Sequence, residues 1–446
     1  MDATAEKKNK VTLSEMFRAL QYRNYRIFFM GQGVSLVGTW MQQVAMSWLV
    51  YRLTNSVLLL GVLGFAGQVP AFLLGPFAGV LSDKFNKHRI LIITQSLAMV
   101  QATILAVLVL TDTVTIYWIV GLSIFLGMVN AFDTPTRQSF VINLINKRED
   151  VSNAIALNSS LFNVARLAGP SIAGLVIAAV GEGLCFAFNA FSYVAVLFSL
   201  LTIKVVSKPT STNKDTRVWE SLREGFRYVV GFPPIRAILM QIGLISLFGM
   251  PFSVLMPVFA RDILHGGANT LGYLMGASGI GALTGALYLA KRPSVLGLGK
   301  VIITATLMLA FGLICFSFTR HIGLSLVFIS ITGFGMIVQM AANNTILQTI
   351  VEDDKRGRVM SFYSMAFLGM APFGSLLAGT VANHIGVPNT LLICGCLCGL
   401  IVIPFAIQLP KMRQLVRPIY QQLGILPQVA TGVQTASNLT MAPENR

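Results

Sequence analysis

Twelve runs of residues, each long enough to cross a bilayer and each poor in charge, constrain this chain more than any other feature. They lie at 27–50, 56–81, 90–110, 116–140, 152–180, 184–203, 235–259, 270–290, 300–318, 323–346, 358–383 and 387–409. About 20 apolar residues at 1.5 Å rise span a hydrocarbon core of ~30 Å. Within that core the backbone must satisfy its own hydrogen bonds, which runs of this length do as helices. With 54% hydrophobic and only 11% charged residues, the chain is far too apolar for a soluble domain of its size. The expectation is an all-α membrane protein with twelve transmembrane helices.

An even number of spans places both termini on one side. Of the 33 Lys and Arg, all but Arg52, Arg166, Arg261 and Arg320 fall in the N-terminal arm, the tail or the loops on that same side. This excess marks the cytoplasmic face. The first run follows a polar, basic arm without a small-residue cleavage site, so it is expected to remain as a span rather than a signal peptide. The net charge of +16 is accounted for by basic residues facing anionic lipid and needs no nucleic-acid partner. The expected organisation is a cytoplasmic arm (1–26), a six-helix bundle (27–203), a cytoplasmic linker (204–234), a second six-helix bundle (235–409) and a cytoplasmic tail (410–446). Within the linker, Trp219, Leu222, Phe226, Val229 and Val230 follow helical spacing among basic residues, which predicts a helix lying on the membrane surface.

The halves repeat. Gly169, Gly174 and Gly181 are spaced by 5 and 7, and Gly374, Gly379 and Gly386 keep those intervals 205 residues later; GPFAG (75–79) aligns with GALTG (281–285) at a similar shift. Two pseudo-symmetric bundles related by a parallel repeat are the mark of a transporter architecture with a central site between its halves. The five cysteines add no metal site: Cys394, Cys396 and Cys398 alternate, so a helix points them apart.

Two motifs carry mechanism. In GVLSDKFNKHR (79–89), Gly79, Asp83, Lys84, Lys87 and Arg89 place a tight-packing glycine, an acid and several bases in one short loop. This resembles the signature between the second and third spans of the major facilitator superfamily. In RLAGPSIAG (166–174), Gly169, Pro170 and Gly174 are similar to that superfamily's exporter-associated element, although Ala173 stands where a glycine is expected. Together with AFDTPTRQSF and NAIALNSSLFNVARLAGPSIAG, the chain resembles the bacterial branch that includes enterobactin exporters and macrolide efflux proteins. The resemblance implies the major facilitator fold in a bacterial inner membrane. It implies for Asp83 a charge latch closing the inner side, with Arg137 or Arg358 as partners. The proton-motive force is the implied energy source, and no cofactor is implied.

The interior offers a candidate cavity. Arg166 lies near the middle of the fifth run with Asn163 one turn before it, and a charge at that depth costs about 2.5–3.5 kcal/mol, which marks it as functional. Gln32, Thr39 and Gln43 stripe the first run, and Gln339 and Asn343 the tenth. One arginine without a deep acid favours anionic or neutral polar cargo. In NAFDTPTR (130–137), Asp133 stands 17 residues from Ile116, about 26 Å along a helix and near the inner edge. Arg137 at i+4 can pair with it. A switch of Arg137 between Asp133 and Asp83 is the expected inner gate, with Asp133 a secondary candidate for proton binding.

The expected function is secondary export of a small molecule. A siderophore is preferred, with drug or macrolide efflux and lysophospholipid movement as alternatives; periplasmic or outer-membrane efflux partners stay open. No Walker loop or H-E-x-x-H is present to support an enzyme, and the tail is too short for the output domain of a sensor.

Overall fold

The computed structural model describes residues 17–203, 218–292 and 294–426; the side chains of residues 76, 79–84, 218–222 and 353 lie outside the description. The chain runs through α1 (Arg23–Thr54), α2 (Val57–Lys84), α3 (Lys87–Leu110), α4 (Ile116–Asn143), α5 (Val151–Val180) and α6 (Glu182–Thr202). After α7 (Val218–Gly231) come α8 (Pro233–Phe248), α9 (Phe252–Val258), α10 (Ala268–Ala290), α11 (Leu298–Phe318), α12 (Ile322–Ile350), α13 (Asp353–Ile385) and α14 (Val387–Gln422). No strand occurs among the described residues.

Among the described residues, eleven helical segments are long and apolar enough to cross a membrane, with α8 and α9 joined in one of them. The 32-residue α1 is not among the eleven, because Gln32, Ser35, Thr39, Gln42 and Gln43 dilute its apolar character. Two runs differ from expectation. The seventh is interrupted between Phe248 and Phe252, where Pro251 lacks an N–H and crowds the preceding turn. The twelfth does not stop at 409 but continues to Gln422 through Pro410 and Pro418. Phe405, Leu409, Met412 and Val416, spaced three or four apart, stay buried against the second half, and that packing offsets the bonds lost at the prolines.

The two sides of the bundle are packed differently. We call the side holding the starts of α1 and α13 the terminal side and the other the far side. On the far side one continuous apolar core joins both halves, running from Val44 and Leu49 through Leu60 and Ile177 to Phe259, Leu271 and Ala378. On the terminal side each half keeps its own core, one around Tyr25, Phe140 and Leu200, the other around Ile238, Ile302 and Leu347. The halves are thus closed together on the far side and separate on the terminal side.

Close backbone crossings are part of that closure. A Cβ at Gly174 would lie 2.7 Å from the Cα of Gly272, and one at Gly379 would lie 2.8 Å from the Cα of Gly61. Without a hydrophobic force between helices in lipid, residues this small are what allow such close crossing. The repeat is visible in three dimensions. Gly174 and Gly379 each reach across to the other half, while Gly169 and Gly374 each pack on the first span of their own, against Trp40 and against Leu247 and Pro251. Gly181 and Gly386 both turn the chain at positive φ, 85° and 83°.

At the terminal side of the first half, the turn Arg18–Gln21 is pinned to Asp150. That carboxylate pairs with Arg18 and accepts the Tyr22 hydroxyl at 2.6 Å, a bond that raises the Tyr22 phenol above its ordinary range. The linker helix α7 belongs to the second half: Glu224 pairs with Arg358 at 2.9 Å, Gly225 lies against Phe362, and Val229 enters the core.

Candidate functional site

The face of α5 that carries Ser159, Asn163 and Arg166 lies between two packed stripes. Gly169 sits on Trp40 of α1, and Leu167, Pro170 and Ser171 meet the backbone or side chains around Gly272, Gly276 and Gly279 of α10. On this face Ser159 is exposed, while Asn163 and Arg166 are half-buried. Arg166 stands fifteen residues into α5, about 22 Å along it, with its guanidinium 5.9 Å from the Trp40 ring centroid. Phe162 meets the other part of that ring edge-on at 5.6 Å. No carboxylate pairs with Arg166 among the described residues, so its five N–H donors are held by an aromatic surface rather than consumed by an acid. Asn163 turns its amide back to the Ser159 carbonyl at 2.9 Å.

The polar stripe of α1 divides. Gln43 is exposed, Thr39 is half-buried and bonds the Ser35 carbonyl at 2.9 Å, and Gln32 is buried. Gln42, one residue from Gln43, points the other way into the first bundle, donating to Gln101 at 2.9 Å and accepting from Asn189 at 2.7 Å. On α12, Gln339 and Asn343 are both buried and bond each other at 3.2 Å, which leaves the Asn343 Oδ1 without a donor.

Of the charge latch, the side chains of Gly79, Asp83 and Lys84 lie outside the described residues. Arg89 is exposed at the start of α3, which Asn86 caps, and Lys87 makes contacts of its own. Arg358 pairs with Glu224. Arg137 pairs with Asp133, Nε to Oδ2 at 3.2 Å. Asp133 is deeply buried, and its Oδ1 accepts from Thr94 at 2.9 Å and Gln95 at 2.7 Å.

The opposite closure joins residues that are far apart in the sequence. On the far side Tyr51 of α1 donates to Asp262, Arg261 donates to Asn55 at 2.9 Å, and the Arg261 guanidinium stacks over the Tyr51 ring at 5.6 Å. These contacts tie the first half to the second. Their signal in sequence is an adjacent Arg-Asp at a span end, which names no partner some 200 residues away. We expect Asp262→Asn to weaken this closure by about 1 kcal/mol, or about fivefold in population. Distances between spin labels on the far ends of α1 and α9 will report it; an unchanged distribution removes Asp262 from the latch.

A family model described as "Transmembrane secretion effector", of the major facilitator superfamily, matches residues 14–434. The chain belongs to this family. Its relatives in the major facilitator superfamily are transporters rather than enzymes. The chain is 29% identical to the staphyloferrin A transporter of Staphylococcus aureus over 83% of its own length and 92% of that protein. It is 26% identical to the multidrug efflux pump Tap of Mycolicibacterium fortuitum (86% and 93%) and 22% identical to macrolide efflux protein A of Streptococcus pyogenes (88% and 99%). In fold it is similar to an inward-facing, unoccupied bacterial homologue of the human lysosomal transporter Spinster, with TM-score 0.68 and 13% identity over 88% of this chain and 98% of that one.

Proposed function

We propose that this major facilitator protein exports a small anionic molecule, preferably a siderophore, from the cytoplasm across a bacterial inner membrane in exchange for protons. The Lys/Arg excess favours the cytoplasm for both termini, so we read the terminal side as the inner side and the space between its two separate cores as an inward-open cleft. The observation that carries the reading is Arg166. It is a half-buried guanidinium in the middle of a spanning helix, on an aromatic shelf and unpaired with any described acid. A guanidinium so placed can take a carboxylate or catecholate in bidentate fashion. The similarity to a staphyloferrin A transporter over 83% of this chain and 92% of that protein supports a siderophore as cargo.

Efflux of a neutral drug or macrolide is the second reading. Trp40 and Phe162 favour it by giving the cleft an apolar, stacking surface, and it agrees with the similarity to Tap and macrolide efflux protein A. Deletion of the gene in iron-limited culture separates the two. Siderophore in the medium is expected to fall while macrolide susceptibility stays level; unchanged extracellular siderophore sinks the preferred reading.

A further inference from the structure

Two features of the second half play no part in the Arg166 site: the linker helix α7 and the stretch of α14 beyond residue 409. They meet on the terminal side. Together with the turn between α12 and α13 they wall a cavity of about 810 Å³, bounded by residues 224–232, 349–356 and 419–423. Sites for small molecules occupy about 300–1,000 Å³, so this one has room for a ligand much larger than a simple ion.

The depth of the cavity follows from helix length. The 29 residues of α12 extend for about 43 Å, which matches a hydrocarbon core plus both headgroup layers, about 40–45 Å. Its last residues, Thr349 and Ile350, line the cavity and therefore set it at headgroup level. The lining is of two kinds. Tyr228, Phe232, Ile419 and Leu423 are apolar or aromatic, whereas Glu224, Arg227, Glu352 and Arg356 are charged. Both acids are already engaged, Glu224 with Arg358 at 2.9 Å and Glu352 with Lys355 at 2.6 Å, and Lys355 lies over the Tyr228 ring at 4.8 Å. Arg227 is exposed and pairs with no acid among the described residues. Asp354, exposed on the same turn as Glu352, does not line the cavity. Phe226 and Val230 of α7 and Leu415 of α14 are exposed on the walls. Apolar side chains grouped in this way suit contact with lipid better than contact with water.

We propose that this cavity binds the headgroup of an anionic phospholipid, with Arg227 and Arg356 on the phosphate and the apolar wall against the glycerol and the first chain carbons. Guanidinium groups present planar donors to phosphate oxygens, and basic recesses between helices at the membrane surface suit acidic headgroups. A zwitterionic lipid would also need an acid for its cationic group, and Arg358 and Lys355 already hold both lining acids. A bound lipid ties α7, the α12–α13 turn and the end of α14 together, which gives the extension of α14 a use that crossing the bilayer does not require. The site is separate from the Arg166 face and serves whichever cargo is exported.

Photocrosslinking of the full chain in phosphatidylcholine nanodiscs tests this, with a trace of phosphatidylglycerol carrying a diazirine on an acyl chain close to the glycerol. Peptides containing residues 226–232 and 419–423 should be labelled. Arg227→Gln, which changes an exposed side chain that makes no ion pair, should lower the labelling about tenfold, as expected for loss of a hydrogen bond to a charged group, and adding Arg356→Gln should lower it further. In detergent, added phosphatidylglycerol should raise the Tm of the parent and leave that of the double variant where it was. Three results overturn the proposal. Equal labelling by a phosphatidylcholine probe with the same diazirine removes the preference for an anion, and undiminished labelling in the double variant removes the arginines. Displacement of the lipid probe by excess glycerol 3-phosphate makes the occupant a soluble phosphate and not a lipid.

Discussion

Arg166→Ala should reduce transport of an anionic cargo by about 30-fold or more, equivalent to at least about 2 kcal/mol, the lower end of the cost of removing one partner from a desolvated charge pair. The loss should fall on transport and not on folding. An ionised arginine at mid-membrane is itself unfavourable by about 2.5–3.5 kcal/mol, and Arg166 returns none of this through an ion pair with any described residue, so the alanine variant should be inserted and folded at least as well as the parent. Arg166→Lys keeps the charge but gives up the planar fork and the stack on Trp40, and should recover transport only in part. Uptake of a labelled siderophore into everted vesicles measures both. Parental rates in Arg166→Ala would remove Arg166 from the cargo site.

Gly174→Leu should have the second large effect, on conformation. The first added carbon alone lies 2.7 Å from the Gly272 Cα and 2.8 Å from the Ala268 carbonyl oxygen, with three more carbons to follow. Overpacking of this kind costs about 1–3 kcal/mol. Since the contact exists only while the far side is closed, the cost is borne by that state, and about 2 kcal/mol moves the population between states about 30-fold. Far-side label distances should lengthen and transport should fall. Gly379→Leu, its repeat-related counterpart, should act alike, whereas Gly75→Ala, with no atom within 4 Å of the added carbon, should be silent. Parental distances in Gly174→Leu would show that the crossing tolerates a side chain and is not the closure.

The fold was legible because lipid leaves the backbone so few options. Apolar runs of fixed length become helices, and the glycine intervals that repeat after 205 residues reappear as equivalent crossings at Gly174 and Gly379. Less legible was everything decided by tertiary contact. The break before Phe252 follows Pro251, but α14 runs through Pro410 and Pro418 because its next apolar residues have a core to enter. Arg166 stood out as a charge in an apolar run. Its shelf did not, since Trp40 and Phe162 offer no contrast with their neighbours in sequence. Gln42 and Gln43 are adjacent and alike, yet a 100° turn per residue sends one into the bundle and leaves the other exposed. The far-side latch joins residues 211 positions apart in Tyr51 and Asp262, a pairing that local pattern does not encode.

The glycine crossings at Gly174–Gly272 and Gly61–Gly379 have a consequence for how the closure yields. At each, a missing side chain lets bare backbone lie on bare backbone. Parting the halves there leaves no side chain to be unthreaded from a socket and no rotamer to be rearranged. Such a clasp shuts tightly because nothing stands between the helices, and it opens smoothly for the same reason.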